Sequence, residues 1–261
     1  MLHHAVVRRF IFSSASFFLF TFSLAAQAPA PTQPSGPAPI TMEEEHHHHL
    51  VLENAYIRAF YVEIAAHEST LYHRHDLPYV SFPPPPLADE PQPSVSATAR
   101  PAPAGPRVGY AAAGFSHAVN NSSDVDLRNI AIELVRPQGT VRNRCAEAVR
   151  GQPLNDCDKQ PPSDSSAPSH YSLFETDEIL VENWDIGPGL TIKPADARLS
   201  TLVGGMSGIV EVTAGGDSRA VPQAGLVWLL AGSEATFKAG PMGGHFAMIE
   251  FKDSSPPRTS P

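Results

Sequence analysis

No basic block occurs anywhere in the 261 residues. The chain carries 18 Lys and Arg against 27 Asp and Glu, a net charge of −9. A surface that tracks nucleic-acid phosphates needs the opposite balance, so nucleic acid is excluded as a partner. Cysteine is nearly absent. Cys145 and Cys157 are the only two, and neither their spacing nor their neighbours suit a metal or redox pair. No stretch carries the apolar period of an amphipathic helix. Charged residues make up only 17% of the chain, yet proline reaches 27 residues. Those prolines are concentrated, so they mark which segments lie outside the folded parts.

Arg8 and Arg9 precede an apolar run from Phe10 to Ala26, followed by the small residues of Ser23 to Ala28. That order predicts a secretory signal peptide over residues 1–28, cut after Ala25, Ala26 or Ala28. No cysteine lies near the cut, which excludes a lipid-anchored lipoprotein, and Phe10-Ile11 suits a twin-arginine signal poorly. Cleavage removes two basic residues and no acid. The expected product is a soluble, acidic, secreted or periplasmic protein with no membrane attachment. In that oxidising setting Cys145 and Cys157 are expected to form a disulfide, stabilising by about 3 kcal/mol.

Residues 29–47 form a Pro- and Ala-rich leader, expected to be disordered. Its end and the next strand's start hold His46 to His49, read as a solvated strand start rather than a specific metal site. The first folded block spans 48–136. Leu50 to Asn54, Tyr56 to Ile64 and Leu127 to Val135 are rich in strand formers. Nine prolines among residues 83–106 interrupt it as a disordered insertion. Residues 137–169 read as a linker carrying the cysteine pair. A second block covers 170–252, with strands at Ile179 to Ile186, Leu226 to Leu230 and Phe246 to Phe251. A disordered tail, 253–261, follows. Many short strands with turn residues between them predict an all-β fold.

The second block repeats the first. A shift of 122 residues carries Ile57 onto Ile179 and Ile64 onto Ile186. A shift of 118 carries Gly114 onto Gly232, and Ile132-Glu133-Leu134 falls near Ile249-Glu250-Phe251. Small changes of offset are what loops of unequal length produce.

The chemistry concentrates in the first block. His73 and His75 are separated by one residue on a predicted strand, so both imidazoles face one side. His117 lies further along, in Gly114-Phe115-Ser116-His117, with Asn121 four residues later. Three imidazoles can hold Zn, Fe, Mn or Ni and leave positions open for a small molecule. Asp76 and Arg74 fall on the opposite face. Arg58 reads as a solvated strand residue. Tyr72, Tyr79, Phe82 and Tyr110 read as core or mouth-lining residues. His67 is placed at a surface turn and His245 in a loop or at a strand end. Glu133 and Glu250, at matched positions, read as structural hydrogen-bonding groups.

The HxH pair, the Gly-x-x-His-x-x-x-Asn run and the flanking strands LENAYIRAFYVEI and LRNIAIELVR resemble the cupin superfamily. The resemblance covers 48–136 and, through the repeat, reaches 252. It implies two tandem cupin-like jelly-roll barrels, a bicupin. It implies a divalent transition metal, Fe, Mn, Zn or Ni, on His73, His75 and His117. It further implies a metal-dependent enzyme of dioxygenase or isomerase type on a small molecule, and it admits a homodimer. The catalytic residues remain unknown, because the family's glutamate position holds Tyr79 or Val80. In the second block the ligand positions become Ala195, Ala197 and Ala235, so a metal-free barrel is expected there. The alternative is a non-catalytic exported small-molecule binder or a structural bicupin.

Overall fold

The structure is a computed structural model. It describes residues 38–82, 108–149, 152–154, 157, 167–193 and 199–252. The predicted signal peptide, the Pro-rich insertion, the tail, Ala195 and Ala197 lie outside the described residues.

Sixteen strands and no helix occur among the described residues. The first half holds β1 (Ile40–Thr41), β2 (His48–Glu53), β3 (Ile57–Ile64), β4 (His73–His75), β5 (Tyr79–Phe82), β6 (Gly109–Ala111), β7 (Phe115–His117) and β8 (Leu127–Leu134). They form two sheets, ordered β2-β3-β8-β5-β6 and β1-β4-β7. The second half holds β9 (Arg142–Asn143), β10 (Ser169–Glu175), β11 (Ile179–Ile186), β12 (Thr191–Ile192), β13 (Thr201–Ala214), β14 (Asp217–Pro222), β15 (Leu226–Leu229) and β16 (Ala235–Phe251). These form one sheet ordered β14-β13-β16-β11-β10-β9, with β12 paired to β16 and β15 to β13. Register shifts between Gly205 and Ser207 and between Gly208 and Val210 interrupt the β13–β16 ladder. Bulges of this kind bend a long strand, so β13 and β16 each serve two parts of the sheet.

The repeat is visible in the ladders. β3 and β11 have the same length and the same offset of 122. Asn54 closes the turn before β3 through a bond from its N–H to Ile57 O, and Thr176 does the same before β11 to Ile179 O. Arg58 pairs with Glu133 across β3–β8, as Leu180 pairs with Glu250 across β11–β16. Gly114 and Gly232 both take positive φ, 88° and 82°, in the turns ahead of β7 and β16. A side chain at either position would strain that turn.

Packing explains why the strands read as nearly continuous apolar runs. Ile57 and Ala59 of β3 face one core, while Phe60, Val62 and Ile64 face another. The second core, completed by Met42, Leu127 and Ala131, fills the first barrel. The first core is shared: Ile130, Ile132 and Leu134 of β8 lie in one cluster with Val181, Ile249 and Phe251 of the second half. A third cluster, including Trp184, Val210, Phe237 and Phe246, fills the second barrel. The two barrels thus stand back to back on a common apolar layer. Strands buried on both faces lose the polar alternation of a half-exposed sheet.

Two segments read as irregular are built into the fold. The leader's end is ordered: Ile40 pairs with His73 in a parallel β1–β4 ladder, and Met42 is buried. Ile40 and Met42 are the only large apolar residues of 29–47, and burying Met42 in the barrel draws the segment in. The 137–169 segment is no free spacer where it is described. β9 pairs with β10, and buried Asn143 donates from Nδ2 to Val149 O and Gln152 O. Cys145 and Cys157 form the expected disulfide.

Candidate metal centre

β4 is the middle strand of the small sheet, between β1 and β7. Its burial alternates, with His73 and His75 buried and Arg74 exposed. Arg74 donates from Nε to Asp76 in solvent, as its parity predicts. The antiparallel β4–β7 register sets His117 directly opposite His73. The turn that makes this possible is closed by the N–H of Gly114, which donates to His75 O at 2.8 Å. Asn121, fully buried, locks the neighbouring loops. Its amide donates to Ile64 O, Ala65 O and Val125 O, and its oxygen accepts from the Ser123 hydroxyl.

The three imidazoles converge. One ligand nitrogen from each of His73, His75 and His117 lies within 4.8 Å of the others. Nε2 of His75 and Nε2 of His117 stand 3.0 Å apart. Nδ1 of His73 lies 2.8 Å from Leu71 O, which can only accept, so that nitrogen carries the proton. Nε2 of His73 is then a buried lone pair without a hydrogen-bond partner. A buried acceptor left unpaired costs about 1–3 kcal/mol, and a cation removes that cost. Burial, reinforced by the neighbouring His117, His73 and His48, lowers His75 to about 3. Burial, with His73 and His48 beside it, lowers His117 to about 4. Both are therefore neutral at ordinary pH, the form that ligates. This donor set fits a divalent transition metal of the imidazole-preferring kind.

His75 is held between Tyr79 and Phe115, with ring centroids at 4.6 and 4.8 Å. Tyr79 thus serves as a packing ring, and burial pushes its phenol up, so it stays neutral. A small pocket of about 40 Å³ opens beside the cluster. His48, His75, Tyr79 and His117 line it with Val62 and Leu127. Phe82 and Tyr110 belong to the shared core instead, and Tyr72 is exposed. His67 is exposed and bonded to Asp124, as a surface turn residue.

Arg58 does not face solvent freely. It is shared among Glu43, Glu53 and buried Glu133. Burial outweighs this divided cation and pushes Glu133 up to about 7. His245 is a correction: it lies inside β16, half-buried, with Nε2 2.5 Å from Asn183 Oδ1. Bulged β16 is one long strand running through a Gly-rich stretch that reads as a loop. In the second barrel Ala235 opens β16, and the interior is filled by stacked Phe237, Phe246 and Trp184.

The His46–His49 run was not simply a solvated strand start. The side chains of His47 and His48 are only 8% and 5% exposed. Both bond to Glu45, which is fully buried. His48 pairs with Val62 across β2–β3, which turns it to the barrel interior. A register shift between Leu50 and Leu52 hides this parity from the sequence.

No protein-family model and no curated protein matches the chain. Solved structures do. Salicylate 1,2-dioxygenase from Pseudaminobacter salicylatoxidans matches at a TM-score of 0.53 and 10% identity, over 78% of this chain and 75% of that one. A variant of that enzyme from Pseudoaminobacter salicylatoxidans, in complex with gentisate, matches at 0.50 and 10%, over 75% and 69%. At such identity the likeness establishes fold alone. The shared fold is all-β with two barrels in tandem, the architecture that the motifs' resemblance implied.

Proposed function

We propose that the first barrel holds one divalent transition metal on His73, His75 and His117, and that the protein is an exported metal-dependent enzyme of dioxygenase type acting on a small molecule. The observation that carries this reading is the convergence of three imidazoles around the unpartnered Nε2 of His73. When bound there, a metal of this class supplies Lewis-acid polarisation or oxygen activation. The chain's own groups do the rest. Leu71 O holds the His73 tautomer, Tyr79 and Phe115 fix the His75 ring, and Val62 and Leu127 exclude water from the pocket wall. Iron suits the dioxygenase reading; manganese, zinc and nickel are the other candidates. Substrate class is bounded by space. A 40 Å³ pocket is far below the roughly 150 Å³ that accommodates benzene, so the ligand is smaller than an aromatic ring unless the mouth opens.

Export is supported by the Arg8–Ala28 pattern and by the disulfide, which belongs to oxidising compartments. A second reading, a non-catalytic binding protein, is favoured by the lack of a carboxylate among the pocket-lining residues. The test is to load the protein with Fe(II), Mn, Zn and Ni in turn and assay small organic acids for turnover and dioxygen uptake. Turnover with one metal, abolished by His73→Ala with His75→Ala, supports the enzyme. Stoichiometric metal and ligand binding without turnover for any metal selects the binding protein.

A further inference from the structure

The geometry points to His48 as a fourth metal ligand, supplied by β2 and held by Glu45, in a pocket that no carboxylate lines. This inference rests on the metal reading above and assigns a residue to that centre from outside both motifs.

Three observations converge on it. The first is place. The His48 ring centroid lies 4.8 Å from that of His73, within the spread of 4.7 to 5.1 Å that separates the three motif rings from one another. His48 also lines the same pocket as His75 and His117. It stands outside the set of ligand atoms within 4.8 Å of one another, so ligation brings its ring closer than it stands here.

The second is tautomer. Nδ1 of His48 lies 2.7 Å from Glu45 Oε2, and an ionised carboxylate can only accept. The proton is therefore on Nδ1, and Nε2 presents a lone pair. A histidine that gives its second ring N–H to a carboxylate is the arrangement metal-ligating imidazoles favour.

The third is the wiring of Glu45. Oε2 accepts from the His47 N–H and from His48 Nδ1, while Oε1 accepts from His47 Nδ1 and from the Leu71 N–H. Leu71 O in turn accepts from His73 Nδ1. One buried carboxylate thus orients His48 directly and His73 through the backbone of a single residue, Leu71. Glu45 is a positioning residue; the neighbouring Glu45–His46–His47 cluster shares its carboxylate, whose two oxygens already accept from four donors.

The test is ring-nitrogen NMR on nitrogen-labelled histidine, with the NMR-active cadmium isotope as the probe ion. A His46→Gln, His49→Gln background removes the exposed rings of the run. Four histidine nitrogens coupled to cadmium are expected, one of them lost in His48→Gln. Cadmium affinity should fall about 10–100-fold in His48→Gln and in Glu45→Gln. His48→Gln keeps a donor for Glu45, and amide chemical-shift dispersion checks that it folds. Three coupled nitrogens, unchanged in His48→Gln, would overturn the fourth ligand while leaving the metal centre standing. No coupled nitrogen at all would overturn the metal centre itself, and this inference with it.

Discussion

Replacing Glu45 by Gln tests the wiring of the site without any metal present. All four groups hydrogen-bonded to the carboxylate are donors. An amide turned either way sets its NH₂ against two of them. A tautomer switch in His48 relieves one clash, but it moves the proton to Nε2 and removes the lone pair from the pocket. Burial would raise the Glu45 carboxyl, yet the bonds from His47, His48 and the Leu71 amide prevail and hold it at about 2 instead of the ordinary 4.5. That difference is equivalent to at most about 3.4 kcal/mol. Solvent reaches His46 alongside, whose side chain is 66% exposed, and screening brings the expectation to about 2 kcal/mol. The sign follows from a depressed carboxyl. The stabilisation is present above pH 4.5 and drains away as pH falls toward 2. Urea unfolding of both proteins at a series of pH values should give a gap of about 2 kcal/mol at pH 7 that narrows steadily below pH 4.5. A gap under about 0.5 kcal/mol at pH 7, or one that does not change with pH, would refute the reasoning.

Asn121→Ala leaves three carbonyls without their donor. It should cost about 2–4 kcal/mol in urea unfolding, and Asn121→Asp, which cannot donate, should not rescue it. A Cβ on Gly204 would fall 2.6 Å from the Phe82 ring, a contact between the two halves. Gly204→Ala should therefore destabilise by about 1–3 kcal/mol, and a double-mutant cycle with Phe82→Leu should recover part of that loss. Glu133 acts opposite to Glu45. Its raised carboxyl makes stability fall as pH climbs from 4.5 through about 7, so Glu133→Gln should flatten that limb and gain roughly 1–2 kcal/mol at pH 8.

The motif residues were legible because their chemistry is local. Two histidines one residue apart on a strand must share a face, and Gly114 marks the turn that brings His117 back. The repeat was legible because β3 and β11 keep one length and one cap position. What escaped the reading depends on pairing between distant segments. Ile40 and Met42 look like part of a polar leader until β4 and the barrel interior are there to receive them. His48 looks like one of four interchangeable histidines until the β2 bulge decides which of them turns inward. His245 lies in a Gly-rich stretch because β16 bends there, and a strand that bends through bulges reads as a loop. The shared core between the halves is likewise invisible to periodicity, since strands buried on both faces carry no period.

The central claim is that His73, His75 and His117 form a metal centre. The direct measurement is metal content by plasma mass spectrometry on untagged protein in the His46→Gln, His49→Gln background, before and after reconstitution. The account predicts about one equivalent of a single transition metal, lost when His73→Ala and His75→Ala are combined. No metal after reconstitution, or an equivalent that survives the double substitution, would contradict it.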